Sequence, residues 1–298
     1  MTNLVKLSVT LSLIFSINNV YADREAFEST YVPLAPEKIV IQNASIYDGD
    51  GGEFFETDVL VEDGKIIAIG KDLPFSNEFR VIDATGKWVT PGIIDIHSHM
   101  GVYPAPGVRT SSDGNEATSP VTADVWAEHS IWVQDPQYAL ALTGGVTAFH
   151  ILPGSANLIG GRGVTVKNLQ RVTINSMKFP DAPHSLKMAC GENPKRVYGN
   201  RGQAPSTRMG NAAGYRKSWI QAEGYLRRLN EYEEKSDEAK ELEYAPTRDL
   251  EMETLVGVLK GEILVHNHCY RADEMATMID IAKEFNYKIT AFHHDEML

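Results

Sequence analysis

Val89-Thr90-Pro91-Gly92-Ile93-Ile94-Asp95-Ile96-His97-Ser98-His99 is the stretch that decides how this chain folds. Pro91-Gly92 is strong punctuation, closing one element and opening the next. The apolar, β-branched run behind it reads as a strand buried on both faces, the pattern of a parallel sheet. The run ends in a His-x-His pair. Residues i and i+2 of a strand project from the same face, so both imidazoles can converge on one point.

Upstream, residues 38–90 read as short strands. Lys38–Ile41 and Ala44–Tyr47 lead into the turn Asp48-Gly49-Asp50-Gly51-Gly52, and Asp58–Glu62 meets Lys65–Gly70 across Asp63-Gly64, a hairpin signal. Val81–Asp83 and Trp88–Thr90 complete a small β unit, too small to hold a large core alone. Downstream, apolar strands alternate with helices or loops: Ile93–His97, Val146–Leu152, Val164–Lys167, Leu186–Gly191, Glu262–His268 and Lys288–His294. That alternation predicts a parallel sheet of α/β type. Met275, Met278, Ile279 and Ala282 mark one amphipathic helix over Arg271–Phe285, and a second runs from Arg216 to Glu243. Its charged end, Arg227 to Glu243, is a solvated face to which no function is assigned. Residues 100–135 read as loop.

Histidine placement is the strongest chemical signal. Nine histidines in 298 residues predict roughly 0.3 His-x-His pairs by chance. There are two, His97-x-His99 and His266-x-His268, each at the C-terminal end of a strand, and His293-His294 ends another. Neutral imidazoles gathered at the mouth of a parallel sheet are the donors a zinc-like divalent ion takes. Arg162, Lys167 and Arg208 are candidates for a substrate carboxylate, or ordinary ion pairs. His150 either lines the pocket or packs in the core.

Lys+Arg 28 against Asp+Glu 40 leaves a net charge of −12, which argues against nucleic acid or an anionic membrane surface as partner. The two cysteines, Cys190 and Cys269, encode no disulfide framework, although two thiols could pair in an oxidising compartment. Lys6, the apolar Leu7–Ile17 and Val20-Tyr21-Ala22 form the pattern of a signal peptide cut after Ala22. The expected organisation is therefore a signal peptide over 1–22, a small β domain over 38–90 and a larger α/β domain over 91–298, in a secreted or periplasmic protein. Whether it forms a homo-oligomer is open.

Asp95-Ile96-His97-Ser98-His99 directly after Val89-Thr90-Pro91-Gly92, behind a small β unit, resembles the amidohydrolase superfamily. Further blocks agree in order and spacing: Gly144-Gly145-Val146-Thr147, Pro153-Gly154-Ser155-Ala156-Asn157, Gly160-Gly161-Arg162-Gly163, Gly191 to Gly199, Thr207-Arg208-Met209-Gly210 and His268 to Glu274. Together they resemble the imidazolonepropionase-related, secreted branch, over residues 38–294. The resemblance implies a (β/α)8 TIM-barrel with a small composite β-sandwich, and a divalent metal, zinc, as one or two ions. It implies metal ligands His97 and His99 on strand one, His268 on strand five and His294 or His293 on strand six. Side-chain alternation favours His294, and His266 lies one pleat below His268.

Many relatives carry a carboxylated lysine on strand four. Lys187 lies roughly 17 Å of strand rise below Glu192, with opposite parity. Glu192 is therefore expected as the anionic ligand, and Lys187 as a buried, paired core lysine. The implied activity is hydrolysis of a C–N bond in a small-molecule amide, cyclic, N-acyl or dipeptide-like, by a metal-activated water. The implied general base, an Asp on strand eight, has no counterpart in the six strands counted, so a truncated barrel is expected and no catalytic residue is assigned. The alternatives are an Xaa-Pro dipeptidase and a non-catalytic metal-binding remnant.

Overall fold

A computed structural model of the chain describes residues 27–294. The signal-peptide reading over 1–22 lies outside the described residues. The first unit is one five-stranded sheet. β1 (Ile39–Tyr47), β2 (Glu53–Glu62), β3 (Lys65–Gly70) and β4 (Arg80–Asp83) are ordered β3-β2-β1-β4, and β5 (Trp88–Val89) also pairs with β1. The β2–β3 hairpin turns at Asp63 (φ 52°) and Gly64 (φ 72°), the two left-handed residues of a type I′ turn, as Asp-Gly predicts. Ala44, Ile46, Val59 and Ala84 form its small core. Among the described residues the unit is one sheet, with no second layer of the expected sandwich: Ile66, Ile67 and Ile69 of β3 and Trp88 of β5 remain exposed.

The second unit is a six-stranded sheet that curls into a half-barrel. β6 (Ile93–Ser98), β7 (Val146–Ile151), β8 (Ile159–Lys167), β9 (Ser185–Ala189), β10 (Leu264–His268) and β11 (Ile289–His293) follow one another in both space and sequence. All six expected strands form. The sheet is not wholly parallel, however: β8 runs antiparallel to both β7 and β9. Residues 152–158 are too few for a parallel crossover, which needs a dozen or more, so β8 returns directly. The other neighbouring pairs are parallel. The edge strands β6 and β11 share no ladder, yet the curl brings the rings of His97 and His293 to 4.5 Å between centroids.

Helices cover the outside: α1 (Gln137–Thr143), α2 (Glu192–Gly199), α3 (Arg208–Glu233), α4 (Asp237–Leu242), α5 (Leu250–Leu259) and α6 (Ala272–Glu284). Trp219, Ala222 and Tyr225 of α3, Leu255 of α5 and Met278 of α6 bury a common core against Leu186, Met188 and Val265. The single long helix expected over Arg216–Glu243 begins earlier, at Arg208, and breaks before Ser236, whose hydroxyl caps α4. None of these helices is long and apolar enough to cross a membrane. At the open edge, Ile93, Ile94 and Ile96 of β6 are 53%, 61% and 61% exposed.

Cys190 and Cys269, left open by the sequence, form a disulfide that ties the chain just after β9 to the residue just after β10. It closes a loop of 79 residues of sequence separation. Chain entropy alone sets a ceiling of about 4.5 kcal/mol for such a crosslink, and measured losses run about 2–4 kcal/mol. The Cys190→Ser/Cys269→Ser double variant is expected to lose that much in urea unfolding, and thiol titration of the denatured, unreduced protein should find no free thiol.

Candidate functional site

The C-terminal ends of β6, β10 and β11 meet in a cluster of imidazoles. His97 faces His99 at 5.1 Å, His293 at 4.5 Å and His294 at 4.8 Å between ring centroids. His268 faces His294 at 4.6 Å. The structure therefore brings together all four histidines expected as ligands. His293 and His294 both reach the cluster, which strand alternation forbids. His293 ends β11 facing inward, 6% exposed, and the chain then turns left-handed at His294 (φ 65°), swinging that ring back over the mouth.

Lys187 sits inside the curl. All five residues of β9 are buried, and Lys187 has no exposed surface. It stands level with His266 in the ladder and puts Nζ 3.5 Å from Nε2 of His97. No carboxylate pairs with it among the described residues, contrary to the paired core lysine expected. Glu192 is elsewhere: β9 stops at Ala189, the chain turns at Gly191 (φ 69°), and Glu192 opens α2, exposed. The expectation for Glu192 extended the strand through the turn, and a residue beyond the turn no longer follows the strand's parity.

Below the mouth the histidines continue. His266 Nδ1 and His293 Nε2 are 2.9 Å apart, and His150 stacks 4.6 Å from His266. His150 spends both ring nitrogens on hydroxyls, Thr165 Oγ1 at 2.9 Å and Ser185 Oγ at 2.8 Å, so it is a packed core residue. Asp95 accepts from the backbone amide of His97 at 3.0 Å. Arg162 lies over the Trp126 ring at 4.2 Å and donates to Thr254. Arg208 is held by the buried Glu274 at 2.6 Å. Neither arginine is placed with the imidazoles by these contacts.

Burial keeps the inner rings of the cluster uncharged. Desolvation lowers His97 to about 2, His150 and His268 to about 3, and His266 and His293 to about 4. It lowers His99 as well, and brings Lys187 down to about 7. Neutral imidazole is the ligating form. His99 directs its Nδ1 at the carbonyl of Leu152, 2.8 Å away, which leaves Nε2 with the lone pair. The donor chemistry thus suits a zinc-like ion, with His97, His99, His268 and His294 as the holders. The rings stand edge to face, and among the described residues no three His, Cys, Asp or Glu side chains already surround one point.

Sequence reading passed over Ser155 and Asn193, the two side chains that hydrogen-bond His268, at 2.9 Å and 3.2 Å. Ser155 lies in a clamped loop. Gly154 donates to the carbonyl of Gly114, Ala156 donates to Asn115 Oδ1, and Asn157 donates to the carbonyls of Glu116 and Ser119. A Cβ at residue 154 would collide with the Asn115 side chain, which would have to move and give up its bond from Ala156. The motif Pro153–Asn157 was legible as a block, but its partners in the loop at 114–119 were not.

No protein-family model matches the chain. It is 37% identical to the amidohydrolase tasK of Hapsidospora irregularis over 264 residues, 83% of this chain and 26% of that protein. It is 46% identical to a dihydroorotase of Lactobacillus helveticus over 74 residues, 25% of this chain and 16% of that enzyme. Among solved structures, an amidohydrolase from Thermotoga maritima MSB8 superposes with a TM-score of 0.77 at 39% identity, over 85% of this chain and 63% of that one. The chain thus spans about a quarter of the curated amidohydrolase's length and under two thirds of the solved one. Both the sequence likeness and the fold likeness therefore run to amidohydrolases.

Proposed function

We propose that this chain carries the metal-binding part of an exported hydrolase that cleaves a C–N bond in a cyclic, N-acyl or dipeptide-like amide, of the imidazolonepropionase-related kind. The observation that carries the reading is the meeting of His97, His99, His268 and His294 around the buried Lys187. Likeness to amidohydrolases supports the C–N bond as target. The Cys190–Cys269 disulfide and the N-terminal pattern support an oxidising compartment outside the cytoplasm.

A divalent ion, zinc by donor preference, would supply Lewis acidity toward the amide carbonyl and acidify water. The chain's own part is to keep His97, His99 and His268 neutral by burial. The non-histidine place moves from Glu192 to Lys187. An amine brought to about 7 is largely deprotonated just above neutrality. That is the nucleophilic form whose N–C bond to carbon dioxide, with loss of a proton, gives the carbamate the family resemblance puts on this strand. The general base is not assigned to any of the six strands.

The test is metal content after loading with zinc and removal of excess. At least one ion per chain is expected, falling about tenfold or more in His97→Ala and His268→Ala, the scale of a lost or misheld ligand. Lys187→Ala should lower it as well and Glu192→Ala should not. The loaded protein is then screened on cyclic amides, N-acyl amino acids and Xaa-Pro dipeptides. Turnover confined to the dipeptides would select the dipeptidase alternative. Zinc retained by both histidine variants would overturn the site.

A further inference from the structure

A cavity of about 150 Å³ lies between α3 and α6 and reaches Cys190 and Gly191. That is room for a molecule about the size of benzene. No histidine lines it; its apolar wall is Ala212 and Tyr215 of α3 with Met278 and Ile281 of α6. Its polar residues carry two oxygens that lack a donor. Asn211 is 4% exposed, and its Nδ2 gives a proton to the carbonyl of Gly191 at 2.9 Å. A carbonyl only accepts, so the amide cannot be turned round, and Oδ1 is buried with no protein partner. Glu274 is 7% exposed, and its Oε1 takes the 2.6 Å bond from Arg208 Nε. Its Oε2 lies 3.6 Å from Sγ of Cys190, which in the disulfide has no proton to give. Both acceptor groups press on one residue. A Cβ at Gly191 would stand 2.3 Å from Oε2, and the Gly191 carbonyl holds Asn211.

We propose that this cavity is a binding site for a small primary ammonium with a short apolar tail. A buried acceptor without a donor is costly, and a ligand that supplies donors to both oxygens recovers that cost. Two acceptors call for two N–H or O–H groups. A hydroxyl carries one, whereas an ammonium carries three on a single atom. A primary amide matches the count but not the charge, and bonds between ionised partners are about twice as strong as neutral ones. Arg208 offsets part of the charge of Glu274. Its side chain is 41% exposed against 6% for Glu274, however, so water screens its repulsion of a second cation. The apolar side chains of α3 and α6 take the tail, which supplies the contact area on which such pockets depend. The site is separate from the imidazole cluster, and the proposal does not rest on the metal reading.

The full chain, freed of metal by chelation and labelled in its Met and Ile methyl groups, is titrated with n-butylammonium chloride at pH 7, with sodium chloride of equal ionic strength as the blank. The methyl signals of Met278 and Ile281 should shift and saturate with a Kd of about 1 mM or tighter. Butyltrimethylammonium has the charge but no N–H, and butanamide has two N–H groups but no charge. Each should bind about tenfold more weakly or worse. Asn211→Leu and Glu274→Gln should each weaken n-butylammonium by about tenfold or more. Should either variant not fold, Ala212→Leu narrows the cavity without touching an acceptor and should remove the binding. No saturable shift in wild type, which leaves the cavity to water, would overturn the proposal. So would equal binding of butyltrimethylammonium or butanamide, or undiminished binding in any of the three variants.

Discussion

Replacing Lys187 with methionine is expected to stabilise the metal-free chain at pH 7 by about 2–4 kcal/mol, raising Tm by roughly 5–15 °C. The lysine has no exposed surface, and burial brings its amine from 10.5 to about 7. Between those values the unfolded chain binds the proton and the folded chain does not. Stability therefore rises with pH from about 7 to 10.5, and the full cost of the buried amine is present below about 7. Methionine fills the same space without the charge. It loses only the 3.5 Å contact to His97. Urea unfolding at pH 7 and pH 9.5 checks both parts: the variant should be the more stable at pH 7, and the wild type should gain on it at pH 9.5. A less stable variant at pH 7 would mean that Lys187 is held by a stronger partner than His97. A lysine that costs stability where it stands is what a site residue looks like, since apolar packing would serve the fold better.

Acid is expected to remove stability well above the carboxylate range. His150 and His268 are 8% and 2% exposed, and desolvation holds both at about 3. In the unfolded chain each titrates at about 6.5. Between 6.5 and about 3 the unfolded state binds more protons, so stability falls as pH drops through that window. From pH 7 to pH 5 these two residues alone lose about 4 kcal/mol together. That is a large share of the roughly 5–15 kcal/mol that stabilises a native protein. His97 and His266, which are half-buried, and the buried His293 act with the same sign. Denaturant midpoints at pH 7.5, 6 and 5 measure the slope. A flat profile over that range would show that the imidazoles reach water when charged.

Where the sequence succeeded, it did so through period and punctuation. Pro91-Gly92, the β-branched run and two His-x-His pairs located the sheet and two of its strand ends, because alternation places i and i+2 together wherever a strand forms, and His293-His294 marked a third. Asp63-Gly64 located a hairpin because its turn needs two left-handed residues. Where it failed, the chain left the strand. Glu192 was judged by the parity of β9, but the strand ends at Ala189 and Gly191 turns the chain into α2. His293 and His294 were treated as alternatives, but a left-handed residue lets both rings face the cluster.

By itself, then, the sequence determined the order of the strands, the histidines at the strand ends and the neutral-donor chemistry they bring. Each depends on residues close along the chain. Only the tertiary structure decided what depends on curvature and on distant neighbours. The curl of the sheet sets edge strands β6 and β11 ring to ring without a shared ladder. The return of β8 makes the sheet mixed. Lys187 lies level with His266 and against His97 rather than against a carboxylate. Ser155 and Asn193 reach His268 from a loop and a helix that the histidine pattern does not mention. A hydrogen bond spanning 113 residues of sequence leaves no periodic trace, because nothing local requires it.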